Sequence, residues 1–196
     1  MANGWQLIGG QWYWFDSLDG CSMVTGRRVI DGHPYLLGTY GLINGWCLDN
    51  GLWYWGSNGE VLTGWLQTGN NWYWLDPAND GAMSRGIVSV GSSRYYLSDS
   101  GAMAVGWAFD GTDWYYADGS GALASGWRSV NGAWYWLDIA NDNRMVTGFF
   151  SIGSNRYHFS STGALSLGWF MSDGDWYYAE PSNASGIVKT GLAEGR

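Results

Sequence analysis

Residues 64–85 read "GWLQTGNNWYWLDPANDGAMSR", and this stretch decides the fold. A Gly-Trp pair opens it, a Gly-Asn-Asn turn follows, and a Trp-Tyr-Trp cluster comes next. A glycine-asparagine turn between two aromatic runs is the signal of a β-hairpin. The pattern recurs from Gly4, Gly26, Gly45, Gly64, Gly86, Gly106, Gly126, Gly148 and Gly168, giving nine repeats over residues 4–190. Residues 191–196 read as a truncated tenth repeat or a tail. One hairpin is marginal in water, so copies must bury one another's faces. The predicted fold class is therefore all-β, a solenoid of stacked β-hairpins forming a single repeat domain.

A second period lies on the first. Repeats 2, 5 and 8 carry Arg27, Ile87 and Phe149 where the others carry tryptophan after the opening glycine. They also replace the first ring of the cluster with Pro34, Arg94 and Arg156. Repeats 1, 4 and 7 have the longer loops "DSLDG", "DPANDG" and "DIANDN". Three blocks of three thus open at Gly4, Gly64 and Gly126, which predicts about three hairpins per turn.

Composition narrows the function. The 196 residues include 16 Trp, 13 Tyr and 32 Gly but only one lysine, Lys189, and two histidines, His33 and His158. The net charge of −8 argues against nucleic acid, whose binding needs Lys and Arg against phosphate, and suits a cationic or neutral ligand. No apolar run is long enough to span a bilayer. No signal peptide is visible, and the start reads as a boundary within something longer. Cys21 and Cys47 make neither a disulfide framework nor a zinc site, and whether they pair is open. No Ser-His-Asp set or phosphate loop stands out, so no catalytic residue, metal or cofactor is assigned, and the chain is not expected to be an enzyme. Asp76, Asn79 and Asp80, matched by Asp138, Asn141 and Asp142, read as elongated turns, with an oxygen-lined calcium site as the weaker alternative.

The pattern "GWxxxxGxWYWxxxxxxGAMxxG" resembles the choline-binding or cell-wall-binding repeat family, the surface-attachment modules of Gram-positive and phage proteins. The resemblance covers about Gly4 to Thr190. It implies a left-handed solenoid with choline in a box between consecutive hairpins. The walls it implies are the Gly-Trp ring, the first cluster ring, the middle ring of the next cluster, and often the Met of the connecting loop. Strand alternation agrees, since Trp72 and Trp74 share one face and Tyr73 the other. A quaternary ammonium has no N–H to donate, so an aromatic cage is the chemistry that recognises it.

By position, five cages carry the full set of rings. They are Trp5, Trp12 and Tyr35 with Met23; Trp46, Trp53 and Tyr73 with Val61; and Trp65, Trp72 and Tyr95 with Met83. The other two are Trp107, Trp114 and Tyr135 with Leu123, and Trp127, Trp134 and Tyr157 with Met145. Trp169 and Trp176 would begin a sixth. No choline is expected after repeats 2, 5 and 8, where Arg94 and Arg156 are expected over Tyr115 and Tyr177 as internal cations; the rival reading is a basic strip for teichoic-acid phosphates. The third rings, Trp14, Trp55, Trp74 and Trp136, are read as packing.

The expected partner is choline-bearing teichoic or lipoteichoic acid, and the protein is expected to be secreted to a bacterial surface, or to be phage-encoded and to act on the cell wall. Assembly as a homodimer is left open. Two rival functions remain: a glucan-binding module with sugars stacked on the rings, and an interaction repeat with no small ligand.

Overall fold

The structure is a computed structural model that describes residues 3–181 and 186–189; residues 191–196 lie outside the described residues. Apart from the short 3-10 turns Pro77–Asn79 and Ile139–Asn141, its named elements are strands. Hairpins 1 to 4 pair Gly4–Ile8 with Gln11–Asp16, Gly26–Ile30 with His33–Gly38, Gly45–Asp49 with Leu52–Ser57, and Gly64–Thr68 with Asn71–Asp76. Hairpin 5 is Gly86–Val90 with Ser93–Leu97, and hairpin 6 is Gly106–Phe109 with Trp114–Ala117. Hairpins 7 to 9 pair Gly126–Val130 with Ala133–Asp138, Gly148–Ile152 with Asn155–Phe159, and Gly168–Ser172 with Asp175–Ala179. Every first strand begins on the glycine that opens its repeat.

Turn chemistry fixes the register. At Asn131-Gly132 both residues have positive φ, 50° and 83°, which makes a tight two-residue turn whose twist matches the flanking strands. Trp127 then stands opposite Trp136, and Ser129 opposite Trp134. After its second strand each chain segment turns back and pairs one apolar residue with that strand, as in Leu75↔Met83, Leu97↔Met103, Leu137↔Met145 and Phe159↔Leu165.

The chain divides into two compact units, Met1–Val88 with Leu97–Met103, and Ser89–Tyr96 with Ala104–Arg196. In the first unit Tyr35 pairs with Glu60, which joins hairpins 2 and 3 into one sheet. Its core is a column of the residues that follow the aromatic clusters: Leu37, Leu75 and Leu97, with Leu36 beside them, are 0–2 % exposed. In the second unit the same column is Ala117, Leu137, Phe159 and Ala179, each 0–1 % exposed. The hairpins in each unit thus stack on small aliphatic or phenyl side chains, and the tryptophans lie outside that column. The fold is the all-β stack of hairpins expected from the repeat.

Cys21 and Cys47 are free thiols. Burial, aided by the charge of Asp49, pushes the Cys47 thiol above its ordinary pKa. The acidic loops are turns: Asp76 accepts from the Ala78 amide at 2.9 Å and Asp138 from the Ala140 amide at 3.1 Å. Among the described residues no group of three metal-ligating side chains gathers. No helix among them is long and apolar enough to cross a membrane.

Candidate ligand-binding site

The Gly-Trp ring, the first cluster ring and the third cluster ring lie on one face of a hairpin, as alternation requires. Trp65 stands 5.2 Å from Trp74 and 6.4 Å from Trp72, centroid to centroid. The middle ring faces the other way and serves the preceding hairpin. Tyr73 of hairpin 4 meets Trp46 of hairpin 3 at 4.9 Å and 71°.

This arrangement repeats with little variation. Trp46 and Trp53 stand 6.4 Å apart at 88°, Trp107 and Trp114 6.4 Å apart at 84°, and Trp127 and Trp134 6.4 Å apart at 84°. The facing tyrosines meet the Gly-Trp rings alike: Trp107–Tyr135 is 4.7 Å at 68°, Trp127–Tyr157 is 5.1 Å at 73°, and Trp5–Tyr35 is 5.0 Å at 74°. Near-perpendicular rings at this spacing present faces to a common space instead of stacking and closing it. Trp12, Trp72, Trp114 and Trp134 remain 37–45 % exposed although they lie inside stacked hairpins. For the set begun by Trp65 and Trp72, Tyr95 belongs to the second compact unit, where it pairs with Ala122.

Two sets line open cavities. One, of about 310 Å³, is lined by Trp46, Trp53, Tyr73 and Met83, with Arg85 and Ser100. The other, of about 390 Å³, is lined by Trp107, Trp114, Tyr135 and Met145, with Ser161 and Thr162.

The fourth wall differs from the expectation. Val61 and Leu123 were expected there, and Met83 and Met145 were expected one cage later, with Trp65 and Trp127. The apolar wall instead comes from the loop after the second hairpin of each pair. The cause is the backward turn of the chain. Each connecting loop lies against the hairpin before its own, so the Met103 amide donates to the Trp72 carbonyl and the Leu165 amide to the Trp134 carbonyl, at 2.8 and 2.7 Å. Ala82–Met83 packs likewise on Leu52–Ser57, and Arg144–Met145 on Trp114–Ala117.

Val61 packs against a core cluster of Leu36, Tyr54 and Ala82. Leu123 is 9 % exposed and its amide donates to the Arg94 carbonyl, beside a degenerate groove. Met23 pairs with Phe15 and lines a polar hollow with Asp16 and Arg28, whose lining includes neither Trp5 nor Trp12.

A glycine seats each methionine. A Cβ at Gly101 would come within 2.3 Å of the Met83 sulfur, and one at Gly163 within 2.1 Å of the Met145 sulfur. Sequence reading missed this contact, though the Gly-Ala-Met and Gly-Ala-Leu spacing carries its signal.

The degenerate grooves hold internal cations, in a pattern different from the one expected. Arg27 lies over the Tyr54 ring at 5.6 Å and reaches Asp80 at 3.3 Å. Arg94 reaches Asp142 at 2.8 Å, while Tyr115 stacks with Tyr96 and donates to Asp110. Burial and that hydrogen bond push the Tyr115 phenol far above its ordinary range, so it stays a neutral donor. Arg156 lies 4.0 Å from the Phe149 centroid, on its own hairpin. His158 bonds Ser166 and stacks on Phe170, and burial lowers its pKa.

Trp169 and Trp176 are 62 % and 63 % exposed.

The chain matches known repeat families and known folds. A choline-binding repeat matches residues 2–39, and the cell wall binding repeat matches 63–83, 105–123, 125–138, 147–165 and 168–182. The fold resembles CbpJ of Streptococcus pneumoniae TIGR4 with a TM-score of 0.67 and 27 % identity, over 96 % of this chain and 88 % of that one. It also resembles choline-binding protein F of Streptococcus pneumoniae, with a TM-score of 0.65 and 25 % identity over 96 % and 87 % of the two chains. For the choline-binding domain of CbpL from the same species the TM-score is 0.64 and the identity 26 %, over 98 % and 100 %. No curated protein sequence matches the chain significantly.

Proposed function

The chain belongs to the choline-binding and cell-wall-binding repeat family, and from that premise we propose that it is a non-catalytic module that holds choline residues of wall teichoic or lipoteichoic acid. The observation that carries this reading is the pair of cages at Trp46, Trp53, Tyr73, Met83 and at Trp107, Trp114, Tyr135, Met145. Each offers ring faces and a thioether around a space with room for a quaternary ammonium. A permanent cation with no hydrogen to donate gains from that setting, up to about 2 kcal/mol per desolvated contact. A sugar would ask for several polar groups beside the rings, and each of these cages adds only two polar side chains to its rings and thioether, Arg85 and Ser100 in one and Ser161 and Thr162 in the other. Trp5 meets Tyr35 in the same way but makes no ring contact with Trp12 among the described residues, so the first expected set is incomplete, whereas Trp127, Trp134 and Tyr157 form a further ring set of the same kind. With Leu165 in place of a methionine, the latter is a cage without sulfur.

The module would anchor an attached domain at a bacterial surface. Titration by tryptophan fluorescence with choline, in parallel with dextran and a muropeptide, tests the reading. Saturable quenching or enhancement by choline alone is expected; a response to dextran alone would move the assignment to a glucan-binding module.

A further inference from the structure

The two cages differ in the charge of the side chains that line them. In the cage of hairpins 6 and 7, Arg144, next to Met145, pairs with Asp113, next to Trp114, at 3.8 Å. Neither residue lines that cavity, whose lining carries no charged side chain. At the equivalent places in the cage of hairpins 3 and 4 stand Ala82 and Leu52, and the position two beyond the methionine is Arg85 where the other cage has Thr147. Arg85 is exposed and lines the cavity beside Trp46, Trp53, Tyr73 and Met83.

Arg85 also stands apart from the other described arginines. Arg27, Arg28, Arg94 and Arg144 are paired with carboxylates, and Arg128 and Arg156 lie over the rings of Tyr116 and Phe149. Arg85 has neither kind of partner among the described residues. An unpaired guanidinium on the rim of a cage for a bare cation repels the ligand it frames. The conflict disappears if the ligand carries its own anion. A second hollow of about 270 Å³ adjoins the cage; Trp53, Met83 and Arg85 line both, and Asn79 and Ser84 add polar groups to it.

We infer that the Trp46–Trp53 cage is a two-pole site for a phosphocholine zwitterion, with the ammonium on the rings and the phosphodiester oxygens on Arg85 in the adjoining hollow, whereas the Trp107–Trp114 cage reads the ammonium alone. This rests on the cage reading above and adds an anion subsite to one cage. Guanidinium–phosphate hydrogen bonds are charge-assisted, but this one is solvent-exposed, so the gain is modest.

Indole N–H resonances of Trp46 and Trp53, and of Trp107 and Trp114, report each cage separately during titration with choline and with glycerophosphocholine at low salt. At the first cage glycerophosphocholine is expected to bind roughly three- to fivefold more tightly than choline. At the second the ratio is near one. Arg85→Gln brings the first ratio to one and tightens bare choline there, and salt at physiological strength narrows the preference. Equal ratios at both cages, or a preference that survives Arg85→Gln, would overturn the anion subsite and leave the cages standing. No response of either pair of indoles to either ligand would overturn the cages as well. The same zwitterion is displayed by choline-bearing wall polymer and by phosphatidylcholine. Arg85-dependent retention of the full chain on the polymer assigns that source, retention on phosphatidylcholine vesicles assigns the lipid, and Arg85-independent retention on both counts against the proposal.

Discussion

Single side chains divide here into those that hold the stack and those that face the ligand. Leu123 and Met145 make the division testable. Leu123 is nearly buried, so Leu123→Ala should cost about 2–3 kcal/mol of stability. Met145→Ala should weaken choline at the Trp107 cage severalfold and cost less, because Met145 borders a cavity. Thermal unfolding and a choline titration of the two variants check the pair, and the reverse outcome would restore the original placement of the walls. Gly163 has φ +79° and no room for a methyl beside Met145. Gly163→Ala should therefore lose about 1–3 kcal/mol and loosen the same cage. His158 adds a pH dependence. Its folded pKa is held below the ordinary 6.5 by burial, so its contribution to stability is complete above 6.5 and is lost as pH falls through the depressed value. Melting curves from pH 8 to 4.5 should show a fall that His158→Phe reduces. Choline binding itself should stay flat over mild pH, since the ligand carries a permanent charge.

At the level of the hairpin, the sequence was most informative where chemistry is local. Glycine and asparagine set turns through the backbone each can adopt, so the start of every first strand could be read directly. Ring positions followed from strand alternation, which is why Tyr73 and Trp46, 27 positions apart in sequence, could be placed together. The fourth wall was not legible. It depends on which neighbour a backward-turning loop packs against, and that direction is set by hydrogen bonds such as Met103 to Trp72, not by any local preference. The core column was missed for a similar reason: Leu75, Leu137 and Phe159 sit one place beyond rings that drew attention by size. Arg85 was overlooked because nothing near it in sequence marks it as unpaired. Hairpin 8 offers a constructive test. Phe149 and Tyr177 stand 4.8 Å apart at 68°, close to the Trp107–Tyr135 geometry, and Arg156 covers the Phe149 ring. Arg156→Trp should free that face, supply the absent first ring and raise the number of bound cholines by one in calorimetry; unchanged stoichiometry would show that ring count alone does not make a cage.

For the molecule as a whole, repetition is the functional device. One cage should bind choline near millimolar, about −4 kcal/mol. Several cages on one chain, meeting a polymer with many cholines, turn later contacts into intramolecular ones and raise avidity by ~10² or more. Binding to choline-bearing wall should then fall far more than proportionately as cages are removed: Trp107→Ala with Trp46→Ala should lower wall retention tenfold or more, while Arg94→Gln with Arg156→Gln should leave it intact. The net charge of −8 is compatible with a cationic ligand and sets the chain against polyanions in general, so the attraction to an anionic wall polymer has to come from the ammonium groups. The most direct measurement is a crystal structure of the chain soaked in choline. The account predicts a trimethylammonium group enclosed by Trp107, Trp114, Tyr135 and Met145, and a second by Trp46, Trp53, Tyr73 and Met83. Cages left vacant at saturating choline, or the ammonium lodged elsewhere, would contradict it.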